Sequence, residues 1–292
     1  MPKNSIIELV LLAALWGSSF LFMRLGSPEF GAFLFMFLRT FIASLLLYPL
    51  MVAKKQHHSL TGNWHKIFIM GALNTAIPFV LFGYAVLTLS AGVTSILNAM
   101  TPMFGALVAY FWLKDKLTLS GMLGLALGFI GVYILMFDKI TAPSGNYLLP
   151  TIAVLGATIC YGISANYTKK VLGNVKPLAL AAGSQISSTI MLLPFGLYFI
   201  PQTMPSNEAI FAIIALGIFC TGFAYILFFR LISDLGPTKA ISVTYLIPVF
   251  GLLWGNLFLD EAITINIIIG CATILFGVSL TTGIFTRQRL KA

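Results

Sequence analysis

Residues 101–132 read TPMFGALVAYFWLKDKLTLSGMLGLALGFIGV, and residues 247–278 read IPVFGLLWGNLFLDEAITINIIIGCATILFGV. Aligned without a gap at an offset of 146, the two stretches share ten identities. Pro102, Phe104, Gly105 and Leu107 return as Pro248, Phe250, Gly251 and Leu253. Leu113, Thr118, Gly124, Ala126, Gly131 and Val132 return as Leu259, Thr264, Gly270, Ala272, Gly277 and Val278. Shared greasiness does not put a proline and three glycines in register; duplication of half a protein does.

The copied stretch lies in a chain of 292 residues that is 59% hydrophobic and 9% charged, where a soluble domain has about 45–50% and about 25%. Apolar runs of about 20 residues, long enough to cross about 30 Å of hydrocarbon, recur throughout. The expectation is an all-α integral membrane protein of ten transmembrane helices: roughly 5–25, 30–52, 65–88, 90–113, 119–137, 147–169, 178–200, 207–232, 237–259 and 264–284. The net charge of +9 is confined to short loops. It therefore reads as topology and not as a nucleic-acid footprint. Cys160, Cys220 and Cys271, three in number and all inside apolar runs, do not suggest a disulfide framework. Lys3 ahead of an apolar core resembles a signal peptide, but there is no A-x-A site and the segment has a counterpart in the second half, so it reads as a retained helix. The glycosylation pattern Asn166-Tyr167-Thr168 falls in or at the end of a span and is discounted.

Fourteen Lys and Arg (Lys3, Lys54, Lys55, Lys66, Lys114, Lys116, Lys169, Lys170, Lys176, Arg230, Lys239, Arg287, Arg289 and Lys291) fall on one side of these spans, and Arg24 and Lys139 on the other. The bias puts both termini in the cytoplasm of a cell that holds the protein in its cytoplasmic membrane. Each repeat, residues 1–140 and 141–292, has five spans. Five is odd, so the copies enter the bilayer from opposite sides and form inverted repeats. Two such halves that exchange conformations open a shared cavity to one side and then the other, which is alternating access. Trp16-Gly17 with Ser19 matches Tyr161-Gly162 with Ser164, and Pro49 matches Pro194, at an offset of 145.

Leu15-Trp16-Gly17-Ser18-Ser19-Phe20, Leu38-Arg39-Thr40-Phe41, the block from Thr101-Pro102 through Asp115 to Gly131-Val132, and its copy through Pro248, Asp260-Glu261-Ala262 and Gly270 to Gly277-Val278 resemble the EamA family of the drug/metabolite transporter superfamily. The resemblance covers essentially the whole chain. It implies a ten-helix bundle of two inverted halves, with a central cavity lined mainly by the first four helices of each, and export of amino acids, related metabolites or drugs. Asp115 stands where the family has glutamate, which Glu261 keeps; no functional change is expected of so mild a swap.

Arg39 is the sharpest single signal. At mid-membrane an arginine costs about 2.5–3.5 kcal/mol on an insertion scale, so it should face a cavity or a partner. It is either a counter-charge for an anionic group of a solute or a structural arginine bonded to carbonyls or hydroxyls at a helix contact. Trp16 and Tyr161, matched and next to glycines, are candidate cavity walls, with plain packing as the alternative. Pro102 and Pro248, halfway along spans four and nine, should break those helices and serve as hinges, exposing Asn98 and the Thr244-Tyr245 pair. Gln185, within a residue of Arg39 by the repeat offset, completes a candidate substrate-binding set of Trp16, Arg39, Asn98, Tyr161, Gln185 and Tyr245. No acidic residue lies centrally in a span. That counts against a cation antiporter working through a buried carboxylate. His57, His58 and His65 lack zinc-ligand spacing, and no metal, cofactor or catalytic constellation is expected. The reading is a non-enzymatic secondary transporter whose partners are a small-molecule substrate and the lipid bilayer. Amino acids or related carboxylate-bearing solutes fit best, drugs, amines or nucleoside-like solutes being the alternative. The oligomeric state stays open.

Overall fold

The computed structural model describes residues 3–140 and 146–283, and every regular element in them is helical. Arg287, Arg289 and Lys291, counted above for topology, lie outside the described residues, as does the junction of the two proposed halves after residue 140. In order come α1 (Lys3–Phe30) and α2 (Ala32–Ala53), then α3 (Trp64–Gly71), which continues through a π-helical turn, Ala72–Ala76, into α4 (Ile77–Ala85). Next are α5 (Ala91–Asn98), α6 (Thr101–Val108) with a closing π turn Ala109–Leu113, and α7 (Leu119–Ile140). The second half holds α8 (Leu148–Val171), α9 (Pro177–Tyr198), and α10 (Asn207–Gly217), which runs through a π turn, Ile218–Phe223, into α11 (Ala224–Leu235). It ends with α12 (Pro237–Ala240), a 3-10 turn Ile241–Tyr245, α13 (Ile247–Leu259) and α14 (Ile265–Thr282).

Nine helical stretches among the described residues are long and apolar enough to span a bilayer, and Ile247–Leu259 is a shorter apolar helix. The ninth of the ten expected spans is therefore discontinuous. Proline has no amide hydrogen to donate to the preceding turn, and Pro248 sits in the first turn of α13, directly after the 3-10 stretch. Pro102 opens α6 in the same way after the two-residue interruption Ala99–Met100.

Small residues set the helix contacts. The seam between α7 and α14 is built on glycine: a Cβ on Gly277 would lie 2.6 Å from the Gly124 carbonyl oxygen and 2.9 Å from the Gly128 nitrogen, and one on Gly131 would lie 3.1 Å from the Gly270 oxygen. Gly124 and Gly270 are repeat counterparts, as are Gly131 and Gly277, so the contact is reciprocal. Gly17 abuts the backbone of Ile247 and Gly251 and the Phe250 Cβ on α13, and Gly162 abuts the backbone of Phe104 and Gly105 on α6. Without side chains in the way the backbones approach closely, the usual route to helix cohesion in lipid. Asn166 is buried and stitches the second of these crossings, donating to the carbonyls of Gly105 (2.9 Å) and Gly162 (2.8 Å).

Lys114 and Asp260 both adopt left-handed backbone conformations (φ 60° and 51°) that end spans four and nine alike. The next residue donates back in each case: Asp115 N to Ala109 O (3.2 Å), Glu261 N to Gly255 O (3.1 Å). The side chains then diverge. The Glu261 carboxylate accepts from Ala91 N (2.6 Å) and Gly92 N (3.0 Å), capping the start of α5. Asp115 instead meets Lys169 at 3.9 Å, both exposed. A carboxylate on free helix-terminal amides is worth about 0.5–2 kcal/mol, whereas an exposed ion pair is worth about 0–1. Glu261→Ala is therefore expected to lower the thermal stability of the detergent-purified protein by about 1–2 kcal/mol, and Asp115→Ala to change it by less than about 0.5. Equal effects in the two melting curves would refute this asymmetry.

Candidate functional site

A chamber of about 470 Å³ lies between the halves, lined by Trp16, Arg39, Asn98 and Tyr161 among others. It falls within the range of about 300–1,000 Å³ typical of small-molecule sites. Its walls are aromatic. Trp16 packs on Phe228 with ring centroids 5.1 Å apart, and Tyr161 on Phe82 at 6.0 Å. Phe82 and Phe228 are 146 apart and Trp16 and Tyr161 are 145 apart, so the two walls are one contact written twice.

Arg39 lines this chamber while only 6% exposed. Its Nε donates to Thr221 Oγ1 at 3.0 Å, its Nη1 faces Met23 Sδ at 3.8 Å, and its guanidinium stacks 3.7 Å from the Phe79 ring centroid. Thr221 belongs to the π turn Ile218–Phe223 and itself donates to Leu216 O at 2.9 Å, a five-residue reach made possible by that turn. The π turn in the first half, Ala72–Ala76, begins 146 residues earlier and carries Asn74, which also lines the chamber. Such turns widen a helix by one residue and recur at functional sites. None of this was legible as periodicity.

The repeat contact of Arg39–Thr221 is Ser184–Thr75, whose hydroxyls lie 3.3 Å apart. The counterpart of Arg39 is therefore Ser184, at the same 145 offset as Trp16 and Tyr161, and Ser184 lines the chamber. Gln185 does not. It is fully buried, and neither its Oε1 nor its Nε2 has a hydrogen-bond partner among the described residues. One residue turns a side chain by about 100° around a helix, enough to take it off the wall. Tyr245 likewise points elsewhere, its hydroxyl 2.8 Å from Thr282 Oγ1 on α14, while its neighbour Thr244 lines the chamber. The 3-10 winding of Ile241–Tyr245 sets which of the two faces inward. Asn98 closes α5 at the chamber wall, its carbonyl and Oδ1 both accepting from Thr101 Oγ1 (2.8 and 3.5 Å). The prolines stand just beyond the chamber wall, each after the break it accompanies.

The chamber is not symmetric along its length. From the level of Arg39, Phe79 and Asn98 the lining runs to Thr168, Leu180, Phe229 and Ile241, close to the helix ends that carry Lys169, Lys176, Arg230 and Lys239. On the other face, helix ends are tied together. Arg24 donates to the carbonyls of Val86 and Leu87, Glu29 accepts from Ser206 N and Oγ (2.6 and 2.7 Å), and Glu261 caps α5. The basic face holds exposed or partly exposed ion pairs, Arg230–Glu8 at 3.3 Å and Lys169–Asp115.

The family model described as the EamA-like transporter family matches residues 4–137 and again 148–283. An uncharacterized transporter, YoaV, of Bacillus subtilis (strain 168) is 24% identical over 288 residues, 98% of this chain and 99% of that protein. A probable terminal-alkyne amino-acid exporter of Streptantibioticus cattleyicolor is 24% identical over 290 residues, 95% of this chain and 93% of that one. A solved crystal structure shares the fold, with a TM-score of 0.69 and 17% identity over 100% of both chains.

Proposed function

Because the chain belongs to the EamA-like transporter family, whose members are multi-pass membrane transporters and not enzymes, we propose that it is a secondary exporter of small carboxylate-bearing metabolites, amino acids among them. It sits in the cytoplasmic membrane with both termini inside and works by alternating access between two inverted five-helix halves. The observation that carries the solute class is Arg39: a buried guanidinium on the chamber wall whose contacts are a hydroxyl, a thioether and a ring, with no carboxylate in range among the described residues. A charge held this way in low dielectric is stabilised strongly by an incoming anion.

The mechanism finds support in the paired contacts. Trp16–Phe228 with Tyr161–Phe82, Arg39–Thr221 with Ser184–Thr75, and the Gly124–Gly277 and Gly131–Gly270 approaches are what a pseudo-two-fold axis between the halves produces. The hydrogen bond between Ser44 and Thr189, themselves 145 apart, is a self-contact of the kind found on such an axis. With an odd number of spans per half, that axis lies in the membrane plane. The tied face then corresponds to a closed outer gate, and the lining that reaches the basic face to an open inner one. Breaks at Pro102 and Pro248 serve as the hinges. Export fits the relative from Streptantibioticus cattleyicolor that is named as a probable amino-acid exporter. In proteoliposomes, uptake of a labelled carboxylate solute is expected to saturate and to accelerate when unlabelled solute is loaded on the opposite side. Linear flux with no such acceleration would mark a channel and end the carrier reading.

A further inference from the structure

The repeat duplicates the aromatic walls of the chamber but not its charge. Arg39 has Ser184 as its counterpart, and no Asp or Glu is among the described lining residues. The sequence holds only eight acids, all at the ends of spans or in loops. The acid nearest the inner mouth on α1 is Glu8, which is engaged by Arg230 at 3.3 Å. Glu8 lies fifteen residues before Met23, whose sulfur marks the level of Arg39. At 1.5 Å per residue that is about 22 Å along the helix, far beyond the two adjacent carbons that separate the charges of an α-amino acid. The oxygen acceptors among the lining side chains are amides and hydroxyls, Asn74, Asn98, Thr101, Tyr161, Ser184 and Tyr225 among them, and all are neutral.

The consequence is a difference in net charge. A monoanion bound at Arg39 leaves the chamber neutral once it closes around its solute. A zwitterion supplies the same carboxylate but adds an ammonium that no acid receives, so the occupied chamber keeps a net charge of +1. Burying an ammonium on neutral acceptors alone is unfavourable. Resting on the carboxylate reading above, we infer that the chamber selects aromatic or apolar monocarboxylates that lack a free amino group over the corresponding amino acids. Its ligand is of the 2-oxo, 2-hydroxy or deaminated acid class, the carboxylate on Arg39 and the apolar body between Trp16–Phe228 and Tyr161–Phe82.

Three probes of one shape test this: 3-phenylpropanoate, L-phenylalanine and phenethylamine, which are the anion, the zwitterion and the cation on a common skeleton. Binding is read as thermal stabilisation of the purified wild-type protein and as competition for counterflow in proteoliposomes. The expected result is half-saturation by 3-phenylpropanoate at a concentration at least ten-fold below that of L-phenylalanine, with phenethylamine weakest. Arg39→Lys should keep this order at lower affinity, and Arg39→Gln should erase it. If L-phenylalanine binds as well as or better than 3-phenylpropanoate, the selection for monoanions is wrong while the carboxylate reading stands. If phenethylamine binds best, or none of the three binds, both fall.

Discussion

Replacing Arg39 by methionine is expected to leave a folded protein at least as heat-stable as the parent, with its affinity for carboxylate solutes reduced by at least about 30-fold. Methionine preserves much of the side chain's volume against Met23 and Phe79 and removes a charge that costs about 2.5–3.5 kcal/mol at mid-membrane. The bonds returned by Thr221 and the Phe79 ring offset only part of that cost. Removing one partner of a buried charge pair costs about 2–5 kcal/mol of binding, a factor of about 30 to several thousand. Counterflow and thermal unfolding on the same preparation separate the two meanings an intramembrane arginine can have. Loss of transport with stability retained identifies a substrate contact. Loss of stability with the affinity of the surviving protein unchanged identifies a helix-contact arginine and removes the basis for the proposed solute class.

The largest structural effect is expected from Gly277→Val. Its side chain would enter space held by the Gly124 oxygen and the Gly128 nitrogen. Both are backbone atoms in the middle of a helix, which cannot rotate aside as a side chain can. Overpacking costs about 1–3 kcal/mol where neighbours adjust and more where they do not. The yield of folded protein and its unfolding temperature should both fall sharply. No residue of α7 or α14 is among the described chamber lining, so the half-saturating solute concentration of the surviving protein should not change. Gly156→Ala is the control, because its Cβ would meet only Leu81 Cδ1 at an ordinary 3.7 Å. A stable Gly277→Val protein would mean that α7 and α14 do not form the close seam described.

The contrast between these two sites shows how far reading of the chain extends. Arg39 announces itself because a charge in an apolar run is costly wherever the helix points. Gly121, Gly124, Gly128 and Gly131 recur along the fifth span, a small-residue pattern that permits tight helix contact, but spacing along one helix leaves open whether it meets a helix of its own bundle or its repeat counterpart. The partner is α14, through Gly270 and Gly277.

Membrane class, the number of apolar segments, the duplication, the mid-membrane arginine and the proline breaks were determined by the sequence alone, since each follows from composition, length or spacing along one chain. Only tertiary structure decided which side chain of an adjacent pair meets the chamber: Ser184 and not Gln185, Thr244 and not Tyr245. It also decided that Glu261 clasps α5 while Asp115 stays with an exposed lysine. The physical reason is angular. Neighbouring residues on a helix point about 100° apart, an error of one residue in the repeat offset or one turn of 3-10 or π winding is enough to exchange them, and the partner that settles the matter lies on another helix, from 37 residues away for Tyr245 and Thr282 to 170 for Ala91 and Glu261.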